Sequence, residues 1–136
     1  MSATESKCRV LVVDDCPDTS VIFAHMFKLL GAEVVTAING ELGMSAAASA
    51  IDEGRPFQLI LMDVKMPDIN GLSAAKLLRK EGFDGLIVAC TATSSIEERE
   101  DSRSSGIDVY FDKRVANKNF FSALVDRATS KTPKFN

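Results

Sequence analysis

Asp14 and Asp15 stand side by side directly after the apolar run 10–13 (VLVV), and Asp63 follows the apolar run 59–62 (LILM). An apolar run that ends abruptly in carboxylate reads as a buried strand delivering acid to the rim of a sheet. Three carboxylates gathered at one rim repel each other unless a cation sits among them. An oxygen-seeking dication, Mg²⁺ or Mn²⁺, suits such a set, and phosphoryl chemistry comes with it. Thr91 and Lys113 also follow apolar runs, so a hydroxyl and an ammonium can meet the carboxylates. One carboxylate can then act as nucleophile while the hydroxyl and ammonium bind the oxygens of a transferred phosphoryl group.

Positioning these five residues requires a sheet with all its carboxyl ends on one side. Strand-like runs recur at 10–13, 34–37, 57–62, 86–89 and 107–111, with segments of helical length between them. Segment 19–30 carries Ile22, Met26 and Leu30 at helical spacing, flanked by Phe23 and Leu29, and stops at Gly31. Asn39 can cap 40–52, which ends before Gly54 and Pro56. Segment 72–80 carries Ala75, Leu77 and Leu78 and closes at Gly82, and 117–128 offers Phe120, Phe121, Leu124 and Val125. Segment 94–105 (SSIEEREDSRSS) has Ile96 as its sole large apolar residue. Propensity alone is marginal at that length, so a short or mobile helix is expected there. Five strands alternating with five helices predict a doubly wound α/β fold, a parallel sheet with helices on both faces. In such folds ligands bind outside the carboxyl ends of the strands, where strand order reverses.

At 136 residues the chain fits one domain, expected over 8–129, with frayed ends at 1–7 and 130–136. Its net charge of −3 argues against a nucleic-acid face, which needs clustered Lys and Arg. No apolar stretch of about 18 residues suggests a membrane span, and 2–7 lacks the apolar core of a signal peptide. The three cysteines, Cys8, Cys16 and Cys90, are odd in number and form no CxxC pair. They read as reduced thiols of a cytoplasmic protein. The carboxylates beside Cys16 are expected to raise its thiol pKa and quieten it.

Four blocks carry a family resemblance: 10–17 (VLVVDDCP), 59–72 (LILMDVKMPDINGL), 88–93 (VACTAT) and 106–113 (GIDVYFDK). In this order and spacing the chain resembles the receiver domain of two-component signalling over about residues 9–128. It is most similar to receivers attached to hybrid histidine kinases. The resemblance implies a flavodoxin-like (βα)5 three-layer sandwich with strand order 2-1-3-4-5. It also implies roles at the matched positions. Asp63 would accept the phosphoryl group from a phosphohistidine on a histidine kinase or histidine phosphotransfer protein. Asp15, Asp63 and the backbone carbonyl of Lys65 would ligate Mg²⁺, with Asp14 acting largely through a metal-bound water. Thr91 and Lys113 would bind the phosphoryl oxygens, and Tyr110 would be the aromatic switch that moves inward with Thr91. No direct nucleic-acid or membrane contact is implied. The chain stops soon after its last helix, so it is expected to be a stand-alone regulator or one domain of a larger kinase, without a DNA-binding output module.

Two departures from the family pattern stand out. Arg114 occupies the place of a proline that usually follows the lysine in a cis peptide. A non-proline cis bond costs about 2.5–4 kcal/mol, so Lys113–Arg114 is expected to be trans, leaving open whether Lys113 reaches Asp63. Lys65 stands two residues after Asp63, and its ammonium is expected to approach the carboxylates when metal is absent and alter phosphoryl lifetime. The first helix is also unusually apolar. Val21 and Ala24 lie off its stripe, with His25 near the edge as a surface residue, and together they suggest a docking patch for a helical histidine-containing partner. Two other functions remain open. One is a pseudo-receiver that binds a partner without being phosphorylated. The other is a phosphatase of the dehalogenase type, although that family wants a second Asp where Lys65 stands.

Overall fold

The computed structural model describes residues 8–64, 66, 68–91 and 106–129. The expected helix at 94–105, the side chain and carbonyl of Lys65, and the expected frayed ends lie outside the described residues. Five strands, β1 (Arg9–Val13), β2 (Glu33–Ala37), β3 (Leu59–Asp63), β4 (Leu86–Thr91) and β5 (Val109–Asp112), form one sheet. Its order is β2-β1-β3-β4-β5, and every pairing is parallel. The described helices are α1 (Pro17–Leu29), α2 (Gly40–Asp52), α3 (Gly71–Lys80) and α4 (Lys118–Thr129). A 3-10 turn, Lys113–Val115, joins β5 to α4. The doubly wound flavodoxin-like architecture expected from the sequence is the one observed.

Strands β3 and β4 are buried at every residue, which is why they read as unbroken apolar runs instead of alternating ones. Side chains alternate across the sheet. Leu11, Val13, Ile60, Met62, Ile87 and Ala89 face one way, onto Ala47 and Ala50 of α2 and Ala74, Ala75 and Leu78 of α3. Val10, Val12, Leu59, Leu61, Val88 and Cys90 face the other way, onto Phe23 and Phe27 of α1 and Phe121 and Leu124 of α4. Helix starts are fixed by side chains that satisfy first-turn amides. Asn39 Oδ1 accepts from the Leu42 N–H at 2.8 Å, and Asn70 Oδ1 accepts from the Leu72 N–H at 2.6 Å. Pro17 opens α1 where its missing N–H costs nothing.

Helix α1 corrects one expectation. Its buried face is Ser20, Phe23, Ala24 and Phe27, whereas Ile22 is 58% exposed. Aromatic packing decides the rotation. The Phe121 ring lies 5.3 Å from Phe23 and 5.1 Å from Phe27, centroid to centroid. Two phenylalanines docked on a third bury more apolar area than Ile22 and Met26 can offer. Ala24 is therefore inside, not on a surface patch. The strand ends also shift. The sheet ladder continues through Asp63, opposite Cys90, and through Thr91, opposite Asp112. Two of the chemically interesting residues are thus held by the sheet itself.

Candidate functional site

β3 and β2 lie on opposite sides of β1, so strand order reverses between β1 and β3, and the crevice at their carboxyl ends is the place where this architecture binds ligands. Asp14 and Asp15 follow β1 there, and Asp63 ends β3. One carboxylate oxygen from each of the three lies within 4.8 Å of the others. Asp14 is fully buried, Asp63 is 6% exposed, and Asp15 faces solvent. The site therefore has a dry floor and an open side.

Asp14 is oriented by its own loop. Its backbone N–H donates to the Ala37 carbonyl at 3.1 Å, and its Oδ1 accepts from the Cys16 N–H at 2.8 Å. That leaves Oδ2 for charge. Lys113 Nζ lies 2.9 Å from Asp14 Oδ2 and 3.3 Å from Asp63 Oδ2. The contact to Asp14 is an ion pair without hydrogen-bond alignment, so Oδ2 is a fully buried acceptor that makes no hydrogen bond. Burial alone would lower the Lys113 pKa. The Asp14 carboxylate, and then Asp63, outweigh it and hold the ammonium well above its ordinary value.

The carboxylate set fits a hard dication. Mg²⁺ takes oxygen ligands at about 2.0–2.1 Å, which puts ligand atoms roughly 3 Å apart when adjacent and about 4 Å apart when opposite. Three oxygens within 4.8 Å need to contract only slightly to meet that geometry. The unbonded Asp14 Oδ2 is an acceptor for a metal-bound water or for the ion itself.

Thr91 is 1% exposed at the end of β4, beside β3. Tyr110 pairs with Ala89 two residues below Thr91, on the same sheet face, and packs half-buried against the core under α2 and α3. Asp14, Asp15, Asp63, Thr91 and Lys113 are thus brought to one rim. Of the expected docking residues, Val21 is 68% exposed and His25 is exposed, while Ala24 is buried.

Among the described residues no peptide bond is cis, so Lys113–Arg114 is trans as expected, and the question of reach is answered by the 3.3 Å contact to Asp63. The sequence reading overlooked the residue before the lysine. Asp112 Oδ1 accepts from the Arg114 N–H at 2.8 Å, capping the 3-10 turn, and its carboxylate holds the Arg114 guanidinium. The signal was present, since Asp112 ends an apolar run (VYF) much as Asp63 does. Asp68 was also overlooked. Its two carboxylate oxygens accept from the Gly40 and Glu41 N–H groups at 3.1 and 2.8 Å, tying the loop after Asp63 to the start of α2.

The cysteines separate by environment. Burial pushes the Cys8 thiol up to about 11 and the Cys90 thiol higher still. Cys16 reverses the expectation. The Thr19 hydroxyl and backbone N–H, across the first turn of α1, favour its thiolate more than Asp14 disfavours it, so its pKa is lowered.

Residues 10–125 match the family model described as response regulator receiver domain. Similar proteins include the sensor histidine kinase GacS of Pseudomonas protegens, 30% identical over 122 residues, covering 86% of this chain and 13% of that protein. Two-component response regulator 24 of Arabidopsis thaliana is 30% identical over 120 residues, covering 88% of this chain and 84% of that protein. Among solved structures, a CheY-like receiver domain protein from Methanospirillum hungatei superposes with a TM-score of 0.80 at 24% identity, covering 90% of this chain and 94% of that one. The chemotaxis protein CheY4 of Vibrio cholerae gives 0.77 at 23% identity, covering 90% and 99%. At these identities the structural matches speak for the fold. No helix among the described residues is long and apolar enough to cross a membrane.

Proposed function

This chain belongs to the response regulator receiver domain family, and from that premise we propose that its domain, residues 8–129, is a phosphoacceptor in a cytoplasmic two-component phosphorelay. The observation that carries the reading is Lys113 Nζ set between Asp14 Oδ2 at 2.9 Å and Asp63 Oδ2 at 3.3 Å, beside the open carboxylate of Asp15. Asp14, Asp15 and Asp63, with the Lys65 carbonyl that the family pattern adds, are the residues that would hold Mg²⁺. When bound, the ion would neutralise charge on the transferring phosphoryl oxygens.

In this reading an Asp63 carboxylate oxygen forms a bond to phosphorus as the bond from phosphorus to a partner's imidazole nitrogen breaks. The imidazole leaves and an aspartyl phosphate remains. Lys113 moves its charge from the free carboxylates to a phosphoryl oxygen, and the Thr91 hydroxyl donates a hydrogen bond to another. The product adds about −1.5 to −2 charges at one rim. Drawing Thr91 toward that charge makes room on the sheet face it shares with Tyr110, so Tyr110 can turn inward and alter the surface a partner reads.

The partner is a histidine kinase or a histidine phosphotransfer protein. Val21, at 68% exposed, and Ile22, at 58%, lie within two turns of the Asp14–Asp15 loop with His25 exposed beside them, and this patch suits a helical partner. Val21→Glu should leave uptake from a small phosphodonor intact while slowing transfer from the cognate partner. Equal transfer rates would remove docking at that patch.

Incubation with Mg²⁺ and acetyl phosphate tests the core of the reading. The protein should gain one acid-labile phosphate, lost with chelator and absent in Asp63→Ala. No uptake would favour a partner-binding module without a switch, and turnover of added phosphoesters would favour a phosphatase.

A further inference from the structure

We propose that Asp112 and Arg114 are positioning residues for Lys113, forming a carboxylate–guanidinium clasp that fixes the turn carrying the ammonium and keeps Asp112 from competing for it. The inference rests on the phosphoacceptor reading and adds a device specific to this chain. Lys113 lies between the two clasp residues in sequence. Asp112 Oδ1 accepts from the Arg114 N–H at 2.8 Å and from Arg114 Nε at 2.9 Å, and Oδ2 accepts from Arg114 Nη2 at 2.5 Å and Nε at 3.1 Å. One carboxylate thus fixes both the backbone and the side chain of the residue that follows the lysine.

The asymmetry of burial gives the clasp its purpose. The Asp112 side chain is 11% exposed and that of Arg114 is 74% exposed. A buried carboxylate keeps a strong demand for a cation, whereas an exposed guanidinium has water as an alternative. Without Arg114, Asp112 would keep its charge, and the next ammonium along the chain is that of Lys113. That ammonium already serves Asp14 and Asp63, at 2.9 and 3.3 Å. A third carboxylate adjacent in sequence is a rival site for it. Asp112 is also the sheet partner of Thr91, so a shift there disturbs both groups assigned to the phosphoryl oxygens. Arg114 stands where the family usually has proline, which fixes a turn through its ring and has no charge to offer. Here the turn is fixed by a bidentate ion pair instead.

The test uses the full chain in four forms: wild type, Arg114→Ala, Arg114→Lys, and Asp112→Asn with Arg114→Ala. Phosphate uptake from acetyl phosphate at saturating Mg²⁺ should slow in Arg114→Ala by about tenfold or more, within the range for a displaced positioning group. Arg114→Lys should recover part of the rate. The double variant should recover most of it, because the amide oxygen introduced by Asp112→Asn would still cap the turn while the uncharged side chain no longer competes for the ammonium. A purely structural role gives the reverse, a double variant at least as impaired as Arg114→Ala. Crystal structures of Arg114→Ala and the double variant judge the clasp without any phosphorylation. Lys113 Nζ should move toward Asp112 in the first and sit between Asp14 and Asp63 in the second. A wild type that takes up no phosphate sinks the phosphoacceptor reading alone. An unmoved Lys113 in Arg114→Ala overturns the clasp, whatever the wild type does.

Discussion

Replacing Lys113 with methionine keeps the length of the side chain and removes its charge from between two carboxylates. Asp14 is 0% exposed and the Asp63 side chain 9%, so neither is well placed to recover its solvation from water. Removing one partner of a buried ion pair typically costs about 3–5 kcal/mol. Lys113 itself is 19% exposed, which places the expected cost near the lower end, about 3 kcal/mol. For a domain of this size that corresponds to a fall in Tm of roughly 10 °C. Mg²⁺ should stabilise the variant more than the wild type, because the dication replaces the charge that was lost. At a concentration 100 times its Kd a ligand adds about 2.7 kcal/mol, so saturating Mg²⁺ should close most of the gap. The gap should also hold steady with rising pH. The Lys113 pKa is raised above its unfolded value of 10.5, so its contribution is fully present below pH 10.5 and is lost only as pH climbs through the higher folded value. Thermal unfolding followed by circular dichroism, with chelator and with Mg²⁺, between pH 7 and about 10, measures all of this. A variant within about 2 °C of wild type, or a gap that Mg²⁺ leaves unchanged, would refute the bridging role.

Two further expectations follow from packing and exposure. A Cβ on Gly71 would lie 2.7 Å from Val64 Cα and 2.9 Å from the Asp63 carbonyl oxygen, both backbone atoms with little freedom to yield. Gly71→Ala should therefore push α3 away from Asp63, lowering Tm by several degrees, for a cost of about 1–3 kcal/mol, and slowing acetyl phosphate uptake. An unchanged Tm and rate would show that the contact relaxes freely. In thiol titration of the native protein at about pH 7.5, exposed Cys16 should react in a fast phase because its pKa is lowered, while buried Cys8 and Cys90 should react only on unfolding. Persistence of the fast phase in Cys16→Ser would contradict that ordering.

Much of the site could be read from residue order, because a parallel sheet sends every strand's carboxyl end to one rim. Asp14, Asp15, Asp63, Thr91 and Lys113 each close an apolar run, so convergence followed from topology. The rotation of α1 did not. Ile22, Met26 and Leu30 form as good a stripe as Phe23, Ala24 and Phe27, and only the tertiary partner Phe121 chooses between them. Ala24 was accordingly misplaced on the surface. The Cys16 thiol was misread because charge counted along the chain ignores the Thr19 groups across the helical turn. The reach of Lys113 without a following proline depends on Asp112, whose role appears only when its carboxylate is seen capping the turn.

Reductive trapping tests the central claim most directly. Borohydride converts an aspartyl phosphate to homoserine, and tandem mass spectrometry of protein treated with Mg²⁺ and acetyl phosphate then locates the modified residue. Homoserine should appear at position 63 and nowhere else. Homoserine at position 14 or 15, or at no position, would contradict Asp63 as the phosphoacceptor.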